Sequence, residues 1–267
     1  MTPHAPSPNH GFEGKIALIT GGSRGIGRTL ALSLAARGAT PIINYRQNEE
    51  AAAQTVAELE RLGASPLAIR ADVESLEQLE AMFDQVQKRF GRLDFFVSNA
   101  AASNFRSIME LGPHHLERTF NVNVRAFVIG TQRAARLMRD GGRIVVMSSY
   151  GSIRAYPTYA NLGSAKAAIE AWARYMAVEL APAINVNAVS GGIIESDSSA
   201  YFYNTGRVAG LETVLPKLPK QRMGTVQEVA DCVLFLLSPG AEYVTGTTLV
   251  VDGGLSAIAP PFQSDLG

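Results

Sequence analysis

An open α/β domain, a seven-stranded parallel sheet doubly wound by helices on both faces, is predicted by three observations. Short apolar and β-branched runs alternate along the chain with helical patterns. The 267 residues suit one large domain and show no composition shift or linker that would divide them. The first strand run opens directly into a glycine-rich turn and then a helix, the arrangement with which such sheets begin.

Strands are expected at residues 15–20, 40–45, 65–70, 93–98, 142–147, 184–189 and 247–251. The clearest helix precedes the fourth strand, where Leu76, Leu79, Met82, Phe83, Val86 and Phe90 keep a helical period with Glu, Gln and Lys outside it. Crossover helices cover both faces of a parallel sheet. The connection at residues 191–224 has no strand pattern but carries Tyr201, Phe202, Tyr203, Val208, Leu211, Val214 and Leu215. It reads as a substrate lid at the carboxyl edge of the sheet, or as a helical insert that packs on the core.

Lys plus Arg equals Asp plus Glu at 24 each, which argues against bulk attraction to nucleic acid or to an anionic membrane. Cys232 stands alone, so no intrachain disulfide can form. Its setting among Val229, Val233, Leu236 and Leu237 predicts a buried, inert thiol. Residues 1–13 carry three Pro and no apolar run, so a flexible tail rather than a secretory leader is expected. No apolar segment reaches membrane-spanning length, and a cytoplasmic location is expected. His114 and His115 are adjacent and expected to point apart, with no Cys or acidic cluster beside them, so no metal site is expected. The main domain is thus expected over residues 14–267.

The turn Thr20-Gly-Gly-Ser-Arg-Gly-Ile-Gly27 sits between a strand and a helix, the context in which glycines let backbone approach a pyrophosphate. Gly21, Ser23, Arg24, Ile26 and Gly27 are its expected contact positions. The second strand ends in Asn44-Tyr45-Arg46, with no acid before Glu49 to hold a ribose 2′-hydroxyl. Arg24 and Arg46 instead offer cationic forks suited to a 2′-phosphate, so NADPH is expected rather than NADH. Asp72 and Val73 are placed to bracket an adenine, although Asp72 also reads as a helix cap. The small-residue turn at Asn99 and Ala100 leaves room for the adenosine ribose, or simply ends a strand.

Tyr159 and Lys166 stand seven positions apart, nearly two helical turns, and so share a helix face. They are the expected proton donor and ribose clamp. Ser149 reads by itself as a cap on strand-end backbone. Tyr150 and Tyr156 are weaker candidates for a second phenol, Tyr156 being expected off the helix.

Together these residues resemble the short-chain dehydrogenase/reductase family. The resemblance runs from Lys15 to about Gly254 and rests on the glycine turn, Asn99-Ala, Asn123, Ser149, the Tyr/Lys helix and Val251-Asp-Gly-Gly254. It implies a Rossmann-type fold. Family members usually place Tyr four residues before Lys, where this chain has Leu162; the phenol stands three residues earlier, about 4.5 Å of helix rise. Tyr159-x6-Lys166, Ser148-Ser-Tyr-Gly-Ser-Ile-Arg154 and Ala188-Val-Ser-Gly-Gly-Ile-Ile-Glu-Ser-Asp197 resemble NADPH-dependent bacterial enoyl-acyl carrier protein reductases. Ala101 after Asn99-Ala, where Gly is commoner, and Ser190 before Gly191, where Pro is commoner, agree with this. The resemblance makes Ser149, seventeen residues before Lys166, a candidate to hydrogen-bond the substrate carbonyl beside Tyr159. The resemblance implies that Asn123 kinks its helix and holds a water near Lys166, or serves only the bend. It implies that Ile194 and Ser196 meet the nicotinamide amide and the phosphates, and that helices at 121–139 and 157–180 build a homotetramer.

Enoyl reduction places hydride on the β-carbon and negative charge on the thioester oxygen, where a donor stabilises the enolate. That oxygen lies further from the hydride acceptor than a ketone's own oxygen, which accords with a phenol moved by one turn. The Lys166 ammonium and the nicotinamide charge are expected to favour the phenolate and ease donation. The substrate is expected to be an enoyl thioester of acyl carrier protein or coenzyme A. Lys217, Lys220 and Arg222 are candidates for docking an acidic carrier or the phosphates of coenzyme A, or form a solvated surface. Two other functions fit the same residues: a 3-oxoacyl or ketone reductase or alcohol dehydrogenase of the same family, and a non-catalytic NADPH-binding protein.

Overall fold

The computed structural model describes residues 11–102 and 104–257. Seven strands form one sheet: β1 (Ile16–Ile19), β2 (Thr40–Tyr45), β3 (Leu67–Arg70), β4 (Phe95–Ser98), β5 (Gly142–Ser149), β6 (Ile184–Gly191) and β7 (Thr248–Val251). Their order is β3-β2-β1-β4-β5-β6-β7, with every pair parallel. The chain winds one way from β1 and the other way from β4. A crevice therefore opens at the carboxyl ends of those two strands.

The α-helices are α1 (Gly25–Ala35), α2 (Glu49–Arg61), α3 (Leu76–Phe90), α4 (Pro113–Phe120), α5 (Ala126–Leu137), α6 (Ala160–Glu179), α7 (Asp197–Tyr203), α8 (Leu211–Val214) and α9 (Val226–Leu237). Strand alternation sends side chains to two apolar layers. Ile16, Leu18, Phe96 and Ile144 meet α3, α5 and α6 on one face. Ala17, Ile19, Phe95 and Val145 meet α1, α2 and α9 on the other. Gly130 brings α5 close to the sheet, since a Cβ there would stand 2.8 Å from Phe96 Cζ.

Several boundaries differ from expectation. β5 and β6 run on to Ser149 and Gly191, past the expected ends at 147 and 189, because they pair with each other along their full length. β3 begins at Leu67 because Pro66 has no N–H to give the ladder. The helix expected at 121–139 begins earlier, as α4. It passes through a π-helical turn at Asn121–Arg125 and ends with Leu137. Residues 1–10 of the expected tail lie outside the described residues. Phe12, however, is buried and meets the Phe95 ring edge-on at 6.0 Å, so the packed domain includes residues before Gly14. Cys232 is half-buried rather than buried, and burial raises its thiol pKa. The His114 and His115 rings do not point apart. Their centroids lie 3.8 Å apart, because His115 Nδ1 turns back to accept from Gly112 N at the start of α4. Among the described residues no trio of His, Cys, Asp or Glu is placed to hold a metal, and no helix is long and apolar enough to cross a membrane.

Phe96 is fully buried between the sheet, α3 and α5 and meets Phe83 edge-on at 5.5 Å. Phe96→Ala is expected to cost about 3–5 kcal/mol, which a urea unfolding curve would read as a lower midpoint at unchanged slope.

Candidate active site

The crevice is built by a lock between β1 and β4. Thr20 Oγ1 accepts from Asn99 N at 2.9 Å and Ala100 N at 3.0 Å. Asn99 Nδ2 donates to Thr20 O at 2.9 Å and Gly21 O at 3.1 Å. Gly21 and Gly25 have φ of +65° and +53°, a region only glycine enters freely. A Cβ on Gly27 would stand 2.4 Å from Gly21 O, so the turn closes tightly over the start of α1. No side chain caps α1 and no acid stands in its first turn. Its leading N–H groups and positive dipole end thus fit the pyrophosphate of a dinucleotide. Ile26 is half-buried in that turn, and Ser23 is buried, its carbonyl accepting from Thr55 Oγ1.

The other expected contact residues divide into rim and scaffold. Arg46 is exposed beside a cleft of about 610 Å³, with Nη1 3.8 Å from Asp72 Oδ2. Arg24 is exposed and paired at 2.7 Å with Asp197, the first residue of α7. Asn44 is buried: it donates to Ala71 O and accepts from Gly21 N, stitching β2 and the β3 end to the glycine turn. Tyr45 is half-buried and Val73 buried. Asp72 accepts from Glu74 N in a local turn, and the cap of α3 is Ser75, which accepts from Gln78 N. The cap reading of Asp72 is thereby corrected. Ile194 is buried, and the Ser196 hydroxyl caps α7.

At the other end of the crevice, β5 and α6 meet. Tyr159 is the residue at the very start of α6, and its phenol donates to Ser149 Oγ at 3.2 Å. Thr158 before it holds φ of +66°, a left-handed conformation for a β-branched residue that costs about 1–3 kcal/mol. Lys166 is buried, and its Nζ donates to Met147 O at 2.8 Å. Burial lowers its pKa to about 8, while the Glu170 carboxylate one turn on opposes that shift. Glu170 is itself buried and accepts from Ser148 Oγ. Sequence reasoning missed it. The available signal was a single acid one turn after Lys166 in an otherwise small and apolar stretch.

The expected depression of the phenol pKa is not found in the protein by itself. Burial raises the Tyr159 pKa, and only the Ser149 hydroxyl pulls it down; the ammonium of Lys166 is turned to the Met147 carbonyl. Tyr159 therefore stands as a neutral donor. Asn123 lies in the π-helical turn, a feature frequent at functional sites. Its Nδ2 donates to Ala102 O and Thr119 O, and its buried Oδ1 has no protein partner. That orphan acceptor fits a bound water.

Aromatic rings wall the remaining space. Phe105 stacks on Tyr159 at 5.4 Å, and Phe202 of α7 meets Tyr159 edge-on at 5.3 Å. A pocket of about 100 Å³ opens among Ser149, Tyr156, Tyr159, Leu162, Ile193 and Tyr203. Tyr156 lies off the helix, as expected. Burial raises its pKa and pushes that of Tyr203 up to about 12, so both phenols stay protonated. Phe105 carried no sequence signal, since it lies in an irregular loop. At the basic end of the 191–224 segment, Arg222 is already held by Glu228 through two bonds of 2.9 and 2.6 Å.

The family model described as Enoyl-(Acyl carrier protein) reductase matches residues 21–256. The chain belongs to the short-chain dehydrogenase/reductase family. It is 60% identical over 254 residues to 1-cyclohexenylcarbonyl-CoA reductase of Streptomyces collinus, covering 95% of this chain and 91% of that one. It is 36% identical over 258 residues to versicolorin reductase 1 of Aspergillus parasiticus, covering 93% and 98%. A solved short-chain dehydrogenase of Burkholderia cenocepacia J2315 in complex with NADP superposes with a TM-score of 0.85 at 35% identity, covering 91% of this chain and 98% of that one. This short-chain dehydrogenase/reductase is thus an oxidoreductase with a seven-stranded Rossmann sheet.

Burial holds the Lys166 pKa at about 8, below the ordinary 10.5, so its ammonium is lost at lower pH than that of a free lysine. In a member of this family kcat/KM for the dinucleotide is expected to fall above about pH 8. Glu170→Gln removes the carboxylate that supports the ammonium and should move that limb to lower pH. A pH series of steady-state rates on both proteins checks this; an unmoved limb would refute it.

Proposed function

We propose that the protein reduces the carbon–carbon double bond of an enoyl thioester with NADPH. The carrying observation is the place of the phenol. Tyr159 at the start of α6 holds Ser149 at 3.2 Å, while the usual family position, four residues before Lys166, is taken by buried Leu162. The matching family model and the named activity of the Streptomyces collinus relative support this reading. The NADP of the Burkholderia structure supports the cofactor, as do Arg24 and Arg46 at the rim.

When bound, NADPH supplies the hydride. In this reading the glycine turn and the α1 N-terminus hold its pyrophosphate, and Arg24 and Arg46 its 2′-phosphate. Asp72, Val73, Asn99 and Ala100 frame the adenosine, and Ile194 and Ser196 border the nicotinamide end. Lys166 clamps the nicotinamide ribose. Tyr159 donates to the thioester oxygen as charge develops there, with Ser149 orienting the phenol. Asn123 holds a water that connects Lys166 to solvent.

Residues 191–224 act as the substrate lid, bringing Phe202 over the pocket. The small aromatic pocket favours a compact acyl group, and coenzyme A is the carrier preferred here on the relative's name. Fatty-acid or related acyl-chain biosynthesis, a cytoplasmic location and a homotetramer built on α5 and α6 complete the reading, with acyl carrier protein as the alternative carrier.

A panel of crotonyl-CoA, 1-cyclohexenylcarbonyl-CoA and acetoacetyl-CoA with NADPH and NADH tests the reaction. Turnover of the enoyl thioesters with NADPH is expected, and turnover of the ketone alone would defeat the reading. Tyr159→Phe should lower kcat by about 10²–10⁴-fold. Arg46→Ala should raise the KM for NADPH by about tenfold or more and leave that for NADH nearly unchanged, as expected from loss of a charge-assisted bond.

A further inference from the structure

Two glycines beside the phenol need no glycine backbone. Gly151 and Gly163 both lie outside the left-handed region of positive φ, so only space requires them. A Cβ on Gly151 would stand 2.4 Å from Tyr159 Cε1 and 2.6 Å from its Cδ1. A Cβ on Gly163 would stand 2.6 Å from the Gly151 carbonyl oxygen and 3.6 Å from Tyr159 Cδ1. Gly163 is also the residue whose N–H bonds the Tyr159 carbonyl, at 2.8 Å. The first turn of α6 therefore lies against the turn at Tyr150–Ser152, and the Tyr159 ring fills the groove between them. Phe105 stacks on the ring's face.

We propose that Gly151 and Gly163 are positioning residues that form a slot for the displaced phenol, and so make donation from a site one helical turn early possible. The inference rests on Tyr159 being the donor. A tyrosine at the usual position would start from residue 162. The ring at 159 reaches Ser149 only past the backbone of residue 151, where any side chain would fill its place. Moving a tyrosine along the helix is then not sufficient to change the reaction geometry; the slot must exist as well. Neighbouring backbone cannot yield readily, since the Gly163 contact is to a carbonyl oxygen rather than to a flexible side chain.

The test is a double-mutant cycle with Gly151→Ala and Tyr159→Phe, using NADPH and crotonyl-CoA. Gly151→Ala alone should lower kcat by about a hundredfold, as for a misplacement near 1 Å, with the dissociation constant for NADPH and the melting temperature little changed. In the Tyr159→Phe background the same change should lower residual turnover by less than about twofold, because the hydroxyl it misplaces is gone. Gly163→Ala should behave in the same way, and it carries the cycle if Gly151→Ala does not fold. Equal fractional losses in both backgrounds, or a raised KM at wild-type kcat, would overturn the proposal. If Tyr159→Phe itself retained full turnover, the donor assignment would fall. If Tyr159→Phe abolished turnover while both alanine variants kept it, only the slot would fall.

Discussion

The close approach of α6 to the end of β5 is the constraint on which the site depends. Three successive strand residues are each tied to the helix. The Met147 carbonyl accepts from Lys166, the Ser148 hydroxyl donates to Glu170, and the Ser149 hydroxyl accepts from Tyr159. An ammonium in a buried setting is costly unless its donors are satisfied. Here a carbonyl takes one N–H and a carboxylate one turn on offsets part of the charge. The remaining donors of the ammonium are what a ribose diol would accept from. In the proposed reading, that incompletely satisfied buried cation is where the nicotinamide ribose would be held. The same helix registry that sets Lys166 also sets where the phenol must come from.

A second lock supports the first from across the crevice. Thr20 and Asn99 fasten β1 to β4 through both side chain and backbone. The glycine turn can then close over α1 without a side-chain cap. Asn44 extends the same stitching outward to β3. Asn44 and Asn99, which read as dinucleotide contacts in sequence, thus hold backbone in place, while Arg24 and Arg46 lie exposed at the rim, where the proposed reading puts the 2′-phosphate. Arg24 reaches Asp197 on α7.

The fold was legible because its signals are periodic. Every strand run was found in place, with errors confined to the ends, where Pro66 shortens β3 and mutual pairing lengthens β5 and β6. The Tyr159–Lys166 pair was visible in its spacing and Ser149 in the family resemblance, and the structure brings the Tyr159 phenol to Ser149 and Lys166 onto the same helix. What stayed hidden depends on contacts far apart in sequence or on backbone state. Phe105 arrives from a loop with no period to mark it. The left-handed Thr158 belongs to a residue type that disfavours that conformation. The cap of α3 falls on Ser75 rather than on Asp72, three residues earlier, which only geometry reveals. The two adjacent histidines follow a simple rule about neighbours pointing apart, until one ring nitrogen finds a backbone N–H to accept from.

Burial of the phenol bears on the reaction itself. In a buried, aromatic-walled setting the charged phenolate is disfavoured, and Tyr159 keeps its proton. A neutral O–H aimed at a developing enolate stabilises charge where it forms, with little reorganisation. Full transfer of the proton would leave a phenolate that only the nearby cation could support. Conjugate reduction does not demand that transfer at the moment of hydride delivery, because the enolate delocalises its charge over the thioester. On the proposed reading, a buried donor that keeps its proton, with a cation two turns away, suits stabilising an enolate by hydrogen bonding better than protonating an alkoxide outright.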